Sequence, residues 1–344
     1  MRLRSGSACL ALAGVLGCEA SSAPAVIDNV GLNEIQTAGP LNAASADSFV
    51  YFSFPNGKLV SQTEGWDIAF RQNELRVNGG VSGIRDVRGY AMGNNASLSD
   101  AQLRALTVGG TLADFDAIRD AQIPPDDQFV TDRLVEDRTA YLTLTSAAAG
   151  ANTAAYWKMR LANGTYALMR VAAAGFTPQG ALAAITIESR LQSGTTLGVT
   201  HQALLSLSPA TVNFSLALND TVSLGGCNWD LQVDAKSLGM TVNSACNAGT
   251  YPGLHGPPFT SVAFANDAPA YAPYLADLVG PIPSDTADPA GPLRFNLNGD
   301  GRYNPTFNTF LIASGVNVWK FQVVSFTDAA GRNGYPTVRY ALIR

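Results

Sequence analysis

One pattern occurs twice in this chain, and its repetition limits what the chain can fold into. The stretch "FVYFSFPNGKLVSQTEGWDIAFRQNELRVNGGVSG", from Phe49 to Gly83, returns as "TVNFSLALNDTVSLGGCNWDLQVDAKSLGMTVNSAC", from Thr211 to Cys246. The two copies align on Trp66-Asp67 and Trp229-Asp230. In the first, Trp66, Ile68 and Phe70 alternate with Asp67 and Ala69, and Leu75 and Val77 resume the alternation after "RQNE". A period of two broken by a turn is an antiparallel ribbon with one buried face. Pairing Phe70 with Leu75 sets Ile68 opposite Val77 and Trp66 opposite Gly79. A slip of one residue would put Arg76 opposite Phe70, so the register is strongly specified.

The second copy obeys the same rule. Val233 faces Met240, Leu231 faces Val242 and Trp229 faces Ser244; one step further, Cys227 faces Cys246. Directly opposed residues of an antiparallel pair lie about 4.5–5.5 Å apart at Cα, within disulfide range. The expectation is a Cys227–Cys246 bridge, the alternative being two buried free thiols. Asp67 and Asp230 fall on the outward faces, where turn and surface roles are expected. The glycines of "NGGVSG" predict a tight bend or a close backbone approach.

Each copy then offers one helical segment: "SLSDAQLRAL", capped by Ser99 or Asp100, and "APAYAPYLADLV". Each ends in strand patterns, "AYWKMRLANGTYALMRV" and "AAITIESRL" in the first, "TFLIASGVNVWKFQVVSF" and "PTVRYALI" in the second. The expected fold is mostly β: two tandem antiparallel β-rich domains over residues 47–195 and 196–344, each with about one short helix, and a linker around Ser193.

The N-terminus sets the compartment. Arg2 and Arg4 precede "ACLALAGVLG", an apolar run too short to span a bilayer, so residues 1–17 read as a signal peptide. The run ends in "VLGC", which resembles the bacterial lipobox, and Cys18 is then the lipidated residue; the alternative is ordinary cleavage nearby. By resemblance to the usual sorting rule, Glu19 after Cys18 points to the outer membrane. Residues 18–46 form a tether and lead-in. Net charge is −5 with few, scattered lysines. No basic stripe can track phosphates, which argues against nucleic acid as a partner.

The order "YFSF…G…V…WDIAF…LRVNGGVSG", followed by the aromatic strand "GTYALMRV" and "ITIESR", resembles the HmuY family of bacterial haem-binding lipoproteins. The chain looks like two such modules in tandem. The resemblance implies a β domain on a lipid anchor at the outer membrane, capturing haem or a related tetrapyrrole for delivery to a receptor. The alternative is a non-catalytic surface lipoprotein that binds glycan or protein, its haem ligands lost.

Haem iron in such proteins is held by axial histidine or methionine. The resemblance places these ligands between the Trp-Asp ribbon and the closing strands. The first copy has no histidine there but has Met92 in "RGYAMGNN". The second has His255 in "YPGLHGPPF", with His201 well upstream. These three are the candidate axial ligands, His255 foremost.

Enzymatic motifs are missing. Two histidines in the whole chain leave little for a serine triad, and no GxSxG elbow or HExxH pair occurs. Asn296, Asn298 and Asp300 alternate before Gly301 as in the first half of a calcium loop, but position twelve is Phe307 where a bidentate Glu belongs. An Asn-Gly-Asp-Gly turn is the favoured reading, with calcium the alternative.

Overall fold

The computed structural model describes residues 31–45, 48–144, 149–153, 155–194, 196–207, 211–255 and 271–344. Residues 1–17, expected to be a signal peptide, and Cys18 lie outside them.

The first part of the chain forms β1 (Gln36–Ala38), β2 (Val50–Ser53), β3 (Lys58–Val60), β4 (Ile68–Arg71), β5 (Glu74–Val77) and β6 (Val87–Ala91). Two helices follow, α1 (Asp100–Ala105) and α2 (Leu112–Ala117), then β7 (Arg133–Glu136), β8 (Leu142–Leu144) and β9 (Ala149–Ala151). Long strands close this half: β10 (Ala155–Arg160), β11 (Tyr166–Phe176), β12 (Leu182–Ser193) and the short β13 (Thr196–Leu197). The second part repeats the order with β14 (His201–Ser206), β15 (Thr211–Ser215), β16 (Asp220–Val222), β17 (Leu231–Asp234), β18 (Gly239–Val242) and β19 (Gly249–His255). It continues through β20 (Ala276–Val279), β21 (Leu293–Phe295) and β22 (Tyr303–Pro305) to β23 (Phe310–Ser314), β24 (Asn317–Thr327) and β25 (Asn333–Leu342).

Both ribbons have the expected register. Ile68 pairs with Val77 and Phe70 with Leu75; Leu231 pairs with Val242 and Val233 with Met240. Each ribbon extends to a four-stranded sheet, β3-β2-β4-β5 and β16-β15-β17-β18. Cys227 and Cys246 are bridged, with a Cα separation of 5.4 Å. The ladder itself does not reach them, because Cys246 lies in a single 3-10 turn, Ser244–Cys246. Trp66 is buried, but Trp229 is only half-buried, and both precede the paired strands.

The closing strands are exchanged between the copies. The first ribbon packs against the sheet β1-β25-β24-β23-β6, whose long strands come from the C-terminus. The second packs against β12, β11, β10 and β19, with β14 added to β12. Phe52, Phe54, Ile68 and Phe70 share a core with Ile312, Trp319, Phe321 and Val338. Phe214, Leu231, Val233 and Met240 share another with Trp157, Met169, Ile187 and Leu205. The halves are similarly built and have separate cores, but a division at residue 195 falls inside a sheet: Ile187 on β12 pairs with Ala203 on β14. One module is nested within the other. The reason is that β10–β12 and β23–β25 carry the same alternating pattern, so nothing in either ribbon's own sequence says which set covers it.

Of the two expected caps, Ser99 and Asp100, Ser99 is the one that caps α1, and Gln102 completes a capping box. The second helix expected, in "APAYAPYLADLV", is instead strand: Ala272 exchanges backbone hydrogen bonds with Thr250, and Ala276–Val279 pairs with β7. Pro273 has no amide to give a helix. The glycines after the first ribbon are required by contact. A Cβ on Gly79 would lie 2.0 Å from the Val87 carbonyl, and Gly80 has φ +61° and the Asp132 carbonyl 1.9 Å from the same point.

The two aspartates of the Trp-Asp pairs are buried, not outward surface groups. Asp67 Oδ2 accepts the Phe54 amide at 2.8 Å, and Asp230 Oδ2 accepts the Leu216 amide at 2.8 Å. Each thereby ties its ribbon to the neighbouring strand just where that strand ends. Asn78 and Asn243 complete both motifs, donating side-chain amides to the carbonyls of Trp66 and Trp229. Asp230 Oδ1 also accepts the Ala162 amide at 2.8 Å, which pins the β10–β11 turn to the ribbon. Asp67 Oδ1 is buried without a partner, and burial raises its pKa above the ordinary 3.8.

A carboxyl whose folded pKa is raised favours the folded state below its unfolded value and loses that contribution as pH rises through the folded one. Asp67→Asn should therefore match or exceed the parent's stability at pH 7 while gaining less on acidification, measured by urea unfolding at several pH values. Asp230→Ala leaves the buried Leu216 amide and the part-buried Ala162 amide unanswered and should cost roughly 2–4 kcal/mol. A large loss for Asp67→Asn at pH 7, or near-neutrality for Asp230→Ala, would contradict these roles.

Candidate ligand-binding cleft

The outer face of the first ribbon is covered, and that makes a site. Ala69 and Arg71 alternate with the core residues of β4, and Glu74 and Arg76 with those of β5. Arg71, Glu74 and Arg76 are nonetheless buried. Glu74 serves both cations: Arg71 Nε donates to it at 2.9 Å, and Arg76 pairs with its other oxygen. A shared carboxylate between two buried guanidiniums is the arrangement that makes their burial tolerable. Arg71 also lies 4.4 Å from the centre of the Phe49 ring. Burial lowers the Arg76 pKa, opposed by Tyr251 and Asp132, and burial raises that of Asp132.

Cavities lie on either side of Arg76. One, of about 340 Å³, is acidic, with Glu74, Asp277, Asp285 and Asp288 in its wall. The other, of about 100 Å³, is an aromatic slot walled by Phe49, Tyr51, Trp66 and Tyr251. Tyr51 and Trp66 pack with ring centres 5.0 Å apart. The floor is a cross-strand row in which Tyr51 pairs with Ala69 and Ala69 with Arg76. The corresponding row of the second copy is Asn213, Gln232 and Thr241, where Gln232 donates to Asn213 at 2.8 Å. A third cavity, of about 320 Å³, lies beside Trp157, Ala155 and Asp277.

Among the described residues, none of these three walls contains histidine, methionine or cysteine, the side chains that supply nitrogen or sulfur to haem iron. Met92 packs against a cluster that includes Phe129, Leu311 and Val318. His201 is exposed on β14, opposite Ser189. His255 ends β19, with its backbone opposite Ala155; its side chain is outside the described set. Asn296, Asn298 and Asp300 form the β21–β22 turn. Asn296 Oδ1 accepts the Gly301 amide, Asn298 donates to Asn304 and Asp300 Oδ1 accepts the Arg302 amide. Asn296 and Asp300 thus each give an oxygen to the turn's own amides, and among the described residues no group of three or more His, Cys, Asp or Glu is placed to hold a metal ion.

The sequence pattern missed the cleft. Alternation assigns Arg71, Glu74 and Arg76 to solvent; the only hint is their plus-minus-plus order on one face.

The HmuY protein family model matches residues 45–340, a span that contains both ribbons and all but the last two residues of the closing strands. A comparison with curated proteins gives no match. Among solved structures, the chain is similar to a Bacteroides vulgatus protein described as HmuY-like and haem-binding, at 9% identity and TM-score 0.32 over 89% of this chain and 90% of that one. It is similar to a Bacteroides fragilis protein described as a lipoprotein, at 11% identity and TM-score 0.32 over 90% of each chain. An apo HmuY analogue of Tannerella forsythia matches at 8% identity and TM-score 0.32, over 92% of this chain and all of that one, 100%. At such scores the superpositions carry no argument of their own. The sequence match, which covers most of the chain, shows that this protein belongs to the HmuY family.

Proposed function

We propose that the protein is an exported, non-catalytic HmuY-type lipoprotein, anchored at the outer membrane through Cys18, that captures haem or a related tetrapyrrole and passes it to a receptor. The family match over residues 45–340 carries this reading. His255 is the axial ligand on this account. It ends the strand that follows the second ribbon, in the interval to which the resemblance assigns the family's ligands. Met92, among apolar neighbours, and His201, on an exposed strand, are weaker candidates.

A second reading has its own support. The aromatic slot of Phe49, Tyr51, Trp66 and Tyr251 offers amphipathic ring surface of the kind that packs against sugars or apolar side chains, which favours a surface lipoprotein that binds a glycan or protein instead of haem.

Spectral titration separates the two. Haem added to the mature protein at micromolar concentration should shift and sharpen the Soret band, and His255→Ala should diminish the change. An unchanged parent spectrum discards haem binding, and an unaffected variant discards His255. Anchoring is tested apart from the ligand: the parent should incorporate radiolabelled fatty acid and Cys18→Ala should not. Undiminished labelling of the variant would refute Cys18 as the anchor.

A further inference from the structure

The aromatic slot beside Arg76 has a chemistry that the haem reading does not use. Its wall holds four aromatic residues and two neutral polar ones, Gln62 and Ser82, and its single charged residue is Arg76. Arg76 is 8% exposed. Among the described residues, its hydrogen-bonding partner is Glu74, engaged through one terminal nitrogen. A guanidinium has five N–H donors, so most of its fork remains for a ligand. The acids around Arg76 lie elsewhere: Glu74 and Asp277 line the other cavity, and Asp132 is absent from the slot's wall.

Size narrows the class further. A cavity of about 150 Å³ lined by apolar side chains accommodates benzene, and this slot measures about 100 Å³ and opens past Ile84, which is 74% exposed. It suits a single ring with a small head group turned toward Arg76. The space exists because Ala69 stands in the middle of the cross-strand row, where the second copy has Gln232. The second ribbon has neither the small residue nor the cation, so the feature belongs to the first copy alone.

We propose that this slot binds a single aromatic ring carrying one carboxylate, with the ring between Tyr51, Trp66 and Tyr251 and the carboxylate on the free N–H donors of Arg76. Charge-assisted contacts of this kind select strongly for the ionised head group. The site is independent of haem ligation at His255.

The test is calorimetric titration of the full mature chain with benzoate and with benzamide, which has the same ring and no charge. Benzoate should bind at one site with millimolar or tighter affinity, and benzamide about tenfold or more weakly. Ala69→Gln, which installs the second copy's residue, should abolish binding. Ile84→Glu, at the exposed rim, should weaken benzoate about threefold or more by repulsion and leave benzamide unchanged. Circular dichroism and thermal melts establish that each variant is folded, and the rim variant keeps the test decisive if Ala69→Gln is not. No benzoate binding by the parent at tens of millimolar, equal affinity for benzamide, or undiminished binding by both folded variants would overturn the proposal.

Discussion

A ribbon with one apolar face must be covered by a second sheet, and here the cover for the first ribbon lies at the far end of the chain. Phe52, Ile68 and Phe70 can leave water only when β23–β25 arrive. The intervening module closes on itself meanwhile, since β10–β12 immediately precede the second ribbon and pack against it. Contacts between adjacent segments incur less loop-closure entropy than distant ones. The nested order is consistent with that preference: the adjacent pair is joined, and the outer ribbon is left for the C-terminal strands.

Much of this was legible in the sequence. Strict alternation around Ile68 and Phe70, and around Leu231 and Val233, determined both registers, because a slip would have set polar residues or glycine opposite the apolar core positions. The disulfide followed from the same alignment, although the ladder ends before the cysteines and a 3-10 turn brings them together. The start of α1 was placed to within one residue, at Ser99 or Asp100, and Ser99 is the cap. What alternation could not reveal was which sheet covers which ribbon, since the two closing sets share one pattern. Nor could it identify buried polar groups on a nominally outward face. Asp67 and Asp230 look like surface residues until the amides of Phe54 and Leu216 are seen to need them. Lys320 is another case. It alternates with Trp319 and Phe321 as a solvated residue would, yet it is fully buried and donates to the carbonyls of Phe115 and Ile118.

The covered outer face of the first ribbon is also where the two copies diverge in character. In the second copy the row is neutral and internally bonded. In the first it carries a small residue, an aromatic ring and a buried cation, and strands from the nested module close over it through Tyr251. A cleft at that place depends on the nesting. If each ribbon were closed by its own half's strands, the pairing that brings β19 onto β10, and with it Tyr251 to Lys158, would not arise.

The strand exchange is therefore the claim on which the account turns, and interstrand backbone NOEs in deuterated protein test it directly. The account predicts contacts between Gly89 and Ile312, on β6 and β23, together with contacts between Met159 and Thr250, on β10 and β19. Contacts linking β6 to β10 and β19 to β23 would instead describe two consecutive domains and contradict it.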